Sequence, residues 1–233
     1  MINFIRKFVR KFLLIFNMRL IKISLAEKIL WQFSLKNKKV KFLQIGANDG
    51  VSFDCLYEYA TAQEWTGVVV EPLTDFYNKL CYNYEYYKKI QPVNLGIHPY
   101  LKKFDLYRVD SKYHNEYPDW VRGTASFKIE NLLNQGIHLE KIILNSVPSL
   151  TLMELINIHD LIDIDYLQID VEGMDGEIIK MIDFNKIKPK LIRFEWKHIE
   201  SIEMDEIKEM LKKENYNFIW DKDDFFCFLT DVI

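Results

Sequence analysis

The chain has 233 residues, 49% of them apolar and 28% charged, with a net charge of −3. This is ordinary composition for one globular domain with a sizeable core, alone or with a short appendage. Only 8 glycines and 6 prolines occur, which excludes collagen-like, linker-rich and low-complexity chains.

Charge is unevenly spread. Residues 1–22 carry Arg6, Lys7, Arg10, Lys11, Arg19 and Lys22 and no acid, leaving 25 bases against 34 acids in the remainder. A mildly acidic body argues against a nucleic-acid partner, whose phosphates need a basic face. The longest apolar run at the N-terminus, Phe12–Phe16, is far short of the roughly 20 residues that span a bilayer, and no small-residue cleavage site follows it. On a helical wheel Arg6, Lys7, Arg10 and Lys11 gather on one side, and Ile5, Phe8, Val9, Phe12, Ile15 and Phe16 on the other. Arg19 would fall inside the apolar arc, so this basic amphipathic helix of the 1–22 segment is expected to end or reset near Asn17-Met18, and it fits two roles. It suits peripheral contact with an anionic membrane surface, or packing on the chain's own body or on a sister subunit in a homodimer. Residues 1–35 are read as this helical extension and 36–233 as the domain. The three cysteines, Cys55, Cys81 and Cys227, share no close spacing and fit free thiols in a reducing cytoplasm. The expected location is cytoplasmic, at the inner face of the membrane if the extension binds there.

From Lys39 the pattern alternates. Lys39–Ile45 (KVKFLQI) reads as a buried strand, and Ser52–Gln63 as a helix with Ser52 at its N-cap. Gly67–Glu71 (GVVVE) reads as a strand covered on both faces. Leu73–Tyr84 reads as a helix and Gln91–Ile97 as a third strand. Lys102–Val109 adds a strand, and Asp110–Gly123 is a polar, aromatic loop. Phe127–Gln135 and Thr151–His159 read as helices flanking a strand near Ile142–Val147. Asp163–Glu172 is a central strand followed by a helix through Met181. Lys190–Trp196 is another strand, and Met204–Glu214 a charged surface helix. Asn217–Asp221 and Phe225–Thr230 close the chain as an antiparallel hairpin. Strand and helix in repeated alternation make an α/β fold, a doubly wound and mostly parallel sheet with helices on both faces. Ligands on such sheets bind at the carboxyl ends of the strands.

The motifs fall at those ends. Four of the glycines crowd into two segments, Gly46 and Gly50 in IGANDG and Gly173 and Gly176 in EGMDG. Gly46-Ala47-Asn48-Asp49-Gly50 lies between the first strand and its helix, where small residues let a ligand approach backbone. Its GxxxG spacing is neither the GxGxxG of dinucleotide binders nor a P-loop, so a pyrophosphate is disfavoured. Glu71 ends the second strand, where one carboxylate takes both ribose hydroxyls. The pair suggests a nucleoside-bearing cofactor without a pyrophosphate.

These residues resemble the S-adenosylmethionine-dependent class I methyltransferases and, with Asp165–Gly173 and Glu177, specifically the FkbM family. The matching stretches are FLQIGANDG (42–50), GVVVEP (67–72), PVNLGI (92–97), Thr151-Leu152, IDYLQIDVEGMDGEII (164–179) and LIRFEW (191–196). They cover roughly residues 40–200 and leave out the first 35. The resemblance implies a seven-stranded Rossmann-like sheet, S-adenosyl-L-methionine as cofactor, and O-methylation of a sugar or glycan hydroxyl. Capsule, lipopolysaccharide and nucleotide-linked sugars are all open as acceptors. A secondary metabolite, or a non-catalytic subunit or scaffold on the same fold, are the alternatives.

It further implies roles residue by residue. Gly46, Ala47, Asn48 and Gly50 would form the turn beside the cofactor's methionine moiety, and Glu71 would hold its ribose. Asp170 would face the cofactor's amino group or the acceptor, with Glu172 on the same side of an extended strand. Methyl transfer to a hydroxyl calls for a base within hydrogen-bond reach, and Asp170, His198 and Glu172 are the candidates. Glu195, at the same edge, is a further candidate base and would contact the acceptor. Thr124-Ala125-Ser126 would line the acceptor pocket, with Ser126 foremost. Tyr117 and Trp120 of the 110–123 loop would stack on a sugar. Asp170, Glu172 and Asp175 are hard oxygen ligands that magnesium would accept. The same acids serve without a divalent metal, and no metal ligand is assigned.

Overall fold

Near-continuous runs of apolar residues in the short parallel strands, rather than apolar residues at every second position, are what a sheet covered on both faces requires. The computed structural model, which describes residues 24–52 and 56–232, is built around such a sheet. Residues 1–23, and with them the amphipathic helix expected over 1–22, lie outside the described residues. Helix α1 (Leu25–Lys36) opens with a capping box: Ser24 Oγ accepts from the Glu27 N–H, and Glu27 Oε2 accepts from the Ser24 N–H. The described part of the expected extension is therefore this helix. It buries Ala26, Ile29, Leu30 and Phe33 in the core of the domain.

Seven strands form the main sheet in the order β10-β11-β9-β8-β1-β2-β3. They are β1 (Lys41–Ile45), β2 (Thr66–Val70), β3 (Ile90–Val93), β8 (Tyr166–Ile169), β9 (Leu191–Glu195), β10 (Tyr216–Asp221) and β11 (Asp224–Leu229). Neighbours are parallel except β11, which runs antiparallel to both β9 and β10. Alternate side chains feed two cores. Leu43, Ile45, Val68, Val70, Leu167, Ile169, Ile192 and Phe194 point to one face. There they meet α5 (Leu152–Ile158), α6 (Asp175–Lys180) and α7 (Ser201–Lys213). Phe42, Val69, Tyr166, Leu191, Phe226 and Phe228 point to the other, under α1, α2 (Leu56–Ala62) and α3 (Thr74–Asn83).

Two expectations are corrected. The strand read as Gln91–Ile97 is split. β3 ends at Val93, and the Asn94 amide donates to the carbonyls of Glu71 and Pro72 at 2.8 and 3.1 Å. The chain then leaves to form β4 (Gly96–Ile97) in a second sheet. That sheet has the order β4-β7-β5-β6, with β5 (Lys103–Val109), β6 (Ala125–Ser126) and β7 (Ile142–Leu150). The strand expected near Ile142–Val147 is longer because it pairs with all of β5 and, at its end, with β4. The turn that Ser52 is expected to cap, residues 53–55, lies outside the described residues. The Ser52 N–H and hydroxyl both go to the Asp49 carboxylate, and α2 is described only from Leu56. The 110–123 loop forms two short 3-10 turns, Ser111–Glu116 and Asp119–Gly123. Helix α4 (Ile129–Asn134) follows it. Among the described residues no helix is long and apolar enough to cross a membrane.

Candidate functional site

The carboxyl ends of β1, β2, β8 and β9, roofed by the second sheet, enclose a cavity of about 480 Å³. That is within the usual range for a bound small molecule. One wall is apolar, with Pro72, Leu73, Leu95, Ile97, Phe104 and Phe127; the other is polar and mainly acidic.

The turn after β1 is fixed by backbone. The N–H groups of Gly46 and Ala47 both donate to the Val70 carbonyl, at 3.0 and 2.9 Å. Gly46 has φ +81°, and a Cβ there would lie 1.7 Å from the Asp170 carbonyl oxygen, so only glycine fits between β1 and β8. Asn48 follows at φ +52°, and its N–H donates to Glu71 Oε2 at 2.9 Å. The other oxygen of Glu71 accepts from the Leu73 N–H at 2.9 Å. Glu71 is only 5% exposed. Burial pushes its carboxyl up to about 7 in spite of those two hydrogen bonds and the Arg108 guanidinium nearby. Gly46, Ala47, Asn48 and Glu71 all line the cavity. Gly50 does not: a Cβ there would meet Leu80 and Tyr84 at 2.6 Å, so it seats the turn on α3.

Asp170 lies just past β8, its N–H donating to Ile45 O at 2.9 Å. Its side chain is exposed to the cavity, with protein walls around it. Those walls, and then the charges of Glu195 and Glu172, push it up to about 7, while water in the cavity offsets part of the desolvation. The strand does not continue to Glu172. Glu172 has φ +53°, in the left-handed region, and its carbonyl accepts from Ser126 Oγ at 3.1 Å and from the Asn131 amide at 3.4 Å. Glu172 still lines the cavity, brought there by a turn rather than by strand alternation.

Glu195 ends β9 and is 7% exposed. One of its oxygens pairs with Lys197 Nζ, and burial pushes the carboxyl up to about 7. His198 stands behind it. The Nε2 of His198 is 3.4 Å from Glu172 Oε2 and 3.7 Å from Glu195 Oε2, and burial holds the imidazole below its usual value. His198 is not among the cavity-lining residues, so as a base it is less well placed than Asp170. Asp175, one of the three acids that magnesium would accept, is almost wholly buried. It accepts from the N–H groups of Glu195 and Gly173 at 3.3 and 3.4 Å, tying the β8 turn to the end of β9.

The expected acceptor residues divide. Thr124 and Ala125 line the cavity. Ser126 is buried behind them, and its hydroxyl also accepts from the Lys128 N–H and the Asn131 amide, so it shapes the Glu172 turn instead of meeting a ligand. Tyr117 faces the other way, packing on the cluster of Val109, Val121, Leu132 and Ile137. Its hydroxyl accepts from the His138 N–H at 3.3 Å. The Trp120 side chain lies outside what is described. Gln44, Gln168, Arg193, Lys197 and Asp224 line the cavity unforeseen. The first three sit level on neighbouring strands, and Arg193 donates to Asp224 at 2.7 Å. Gln44, Gln168 and Arg193 fall inside the matching stretches FLQIGANDG, IDYLQIDVEGMDGEII and LIRFEW, but no role is read for them there, and Lys197 and Asp224 lie outside every stretch.

Residues 44–218 match the model of the methyltransferase FkbM domain. No curated protein matches the sequence. Among solved structures, the human methyltransferase 10 domain-containing protein is similar at 13% identity and TM-score 0.44, over 90% of this chain and 83% of that one. Precorrin-6y C5,15-methyltransferase from Geobacter metallireducens is similar at 11% and 0.43, over 88% and 86%. The fibrillarin pre-rRNA processing protein of Methanococcus jannaschii is similar at 15% and 0.41, over 91% and 82%.

Proposed function

The chain belongs to the FkbM methyltransferase family, and on that premise we propose that it methylates a hydroxyl of a sugar or glycan. The family makes it an S-adenosylmethionine-dependent methyltransferase, and the residues at the sheet edge fit that cofactor. Gly46 leaves the close approach that any Cβ would fill, and Glu71 presents a carboxylate to the same space. When bound, S-adenosylmethionine supplies a methyl group on a sulfonium.

The observation that carries the reading is the pairing of Glu71, at the end of β2, with Asp170, at the end of β8, across one cavity. Glu71 keeps lone pairs for two ribose hydroxyls, because its backbone partners use one on each oxygen. Asp170 opens into the cavity, as a base that takes a hydroxyl proton must. The polar wall beside it combines Gln44, Gln168 and Glu172 with the ion pairs Glu195–Lys197 and Asp224–Arg193, so acids outnumber bases there. That suits a neutral acceptor rich in hydroxyl donors and repels an anionic one. Holding that oxygen in line with the methyl contributes much of the acceleration.

Calorimetry with S-adenosylhomocysteine tests the cofactor. Saturable binding that weakens in Glu71→Ala supports it, and no binding at high protein concentration rules it out. A panel of sugars and oligosaccharides, read by mass spectrometry for methyl incorporation, tests the acceptor. Methylation confined to non-sugar compounds would replace this substrate class.

A further inference from the structure

Three polar atoms of Glu172, Glu195 and His198 converge without bonding to one another. His198 Nε2 lies 3.4 Å from Glu172 Oε2 and 3.7 Å from Glu195 Oε2, and all three atoms lie within 4.8 Å of one another. Each is shielded from solvent, and none makes a hydrogen bond. The Glu195 side chain is only 9% exposed. Its other oxygen is taken by Lys197, so the unpartnered one is aimed at the imidazole. Two carboxylate oxygens and an imidazole nitrogen left facing each other in a buried space are costly unless a cation, either a metal ion or the proton of an imidazolium, lies among them.

We propose that Glu172, Glu195 and His198 bind a divalent first-row transition metal at the wall of the cavity. Ligand atoms about 2.1 Å from such an ion stand roughly 3.0 to 3.4 Å apart, in octahedral or tetrahedral arrangement. The two imidazole–carboxylate separations need a closure of only a few tenths of an ångström, and the two carboxylate oxygens, within 4.8 Å of each other, must approach as well. One imidazole nitrogen with two carboxylate oxygens suits manganese, iron or zinc better than calcium or magnesium, which prefer oxygen alone. The site is not the acidic trio that sequence suggests, since Asp175 is committed to backbone N–H groups. The three ligands come from the left-handed turn after β8 and from the end of β9, which Asp175 holds together.

The consequence for catalysis rests on the methyl-transfer reading. Glu172 and Glu195 line the cavity and His198 does not, so an ion held by the three would sit at the cavity wall, next to the space for the acceptor. A hydroxyl oxygen bound there is acidified. Its proton passes to Asp170, and the oxygen forms the new bond to the methyl carbon. The carbon–sulfur bond breaks, with its electron pair returning to sulfur.

The test is Mn²⁺ titration of the chelator-stripped full chain without cofactor, followed by calorimetry and by loss of the free-ion paramagnetic resonance signal. One equivalent should bind, and Glu172→Gln, Glu195→Gln and His198→Ala should each weaken it by on the order of tenfold or more. Melting curves identify any variant that fails to fold. Glu172→Gln, isosteric and at a half-exposed position, decides the matter if the others unfold. Absence of Mn²⁺ binding, or binding unchanged in a folded Glu172→Gln variant, overturns the site. S-adenosylhomocysteine binding measured in chelator on the same protein reports separately on the methyltransferase reading.

Discussion

The backbone N–H of Asn48, after β1, donates to the side chain of Glu71, after β2, at 2.9 Å. The residue that is to hold a ribose thus also holds the turn beside it. Removing the Glu71 carboxylate leaves the N–H groups of Asn48 and Leu73 without acceptors and takes away the hydroxyl partner. Hydrogen bonds to a charged group are each worth about 1.5–3 kcal/mol. Glu71→Ala is therefore expected to weaken S-adenosylhomocysteine on the order of 100-fold by calorimetry. An unchanged affinity would move the ribose elsewhere.

The same carboxyl makes stability pH-dependent. Its pKa rises from 4.5 to about 7 on folding, so the native chain keeps a proton that the unfolded chain releases. The contribution is whole below about pH 4.5, is lost as pH rises towards 7, and is level above that. A shift of this size corresponds to on the order of 3 kcal/mol. Asp175, also pushed up to about 7, acts in the same direction. The melting temperature should fall between pH 5 and pH 7.5, and the fall should be shallower in Glu71→Gln. Equal slopes in the two proteins would show that Glu71 does not titrate in this window.

Gly46 tolerates no side chain. A methyl group there meets the Asp170 carbonyl at 1.7 Å, at a φ of +81°, so β1 and β8 would have to part at their carboxyl ends. Gly46→Ala is expected to cost several kcal/mol in urea unfolding and to abolish S-adenosylhomocysteine binding. A stable variant that still binds would mean that the turn has another conformation.

Most of the main sheet was legible because its strands are short β-branched runs bounded by turn residues, and a parallel strand buried on both faces leaves that pattern. The glycine segments and Glu71 were legible for a local reason: a strand end meeting a tight turn is written in consecutive residues. What sequence could not supply were consequences of distant packing. Gly50 lies in the motif yet faces α3, because Leu80 and Tyr84 close on it from another element. Glu172 seemed to follow Asp170 by alternation, but Ser126 and Asn131 bend the chain there from forty residues upstream. Tyr117 looked like a sugar platform, and its ring is used in a side core whose partners span residues 107–142. Gln44, Gln168 and Arg193 are ordinary residues until strand register aligns them.

Asp170 and Asp175 are both pushed up to about 7 but should fail differently. Asp170 opens into the cavity, and no hydrogen bond of its carboxylate holds the loop among the described residues. Asp170→Asn keeps the shape and removes the proton acceptor, so kcat should fall about 10²–10⁴-fold. S-adenosylhomocysteine affinity and melting temperature should stay near the wild type. Asp175 instead accepts from the N–H groups of Gly173 and Glu195. Asp175→Asn turns one acceptor into a donor facing an N–H, at about 1–3 kcal/mol, and should lower the melting temperature along with activity. Measuring kcat and unfolding on both variants separates the roles. If Asp170→Asn loses stability in proportion to rate, its carboxylate is structural, and the base must be sought among the other acids of the polar wall.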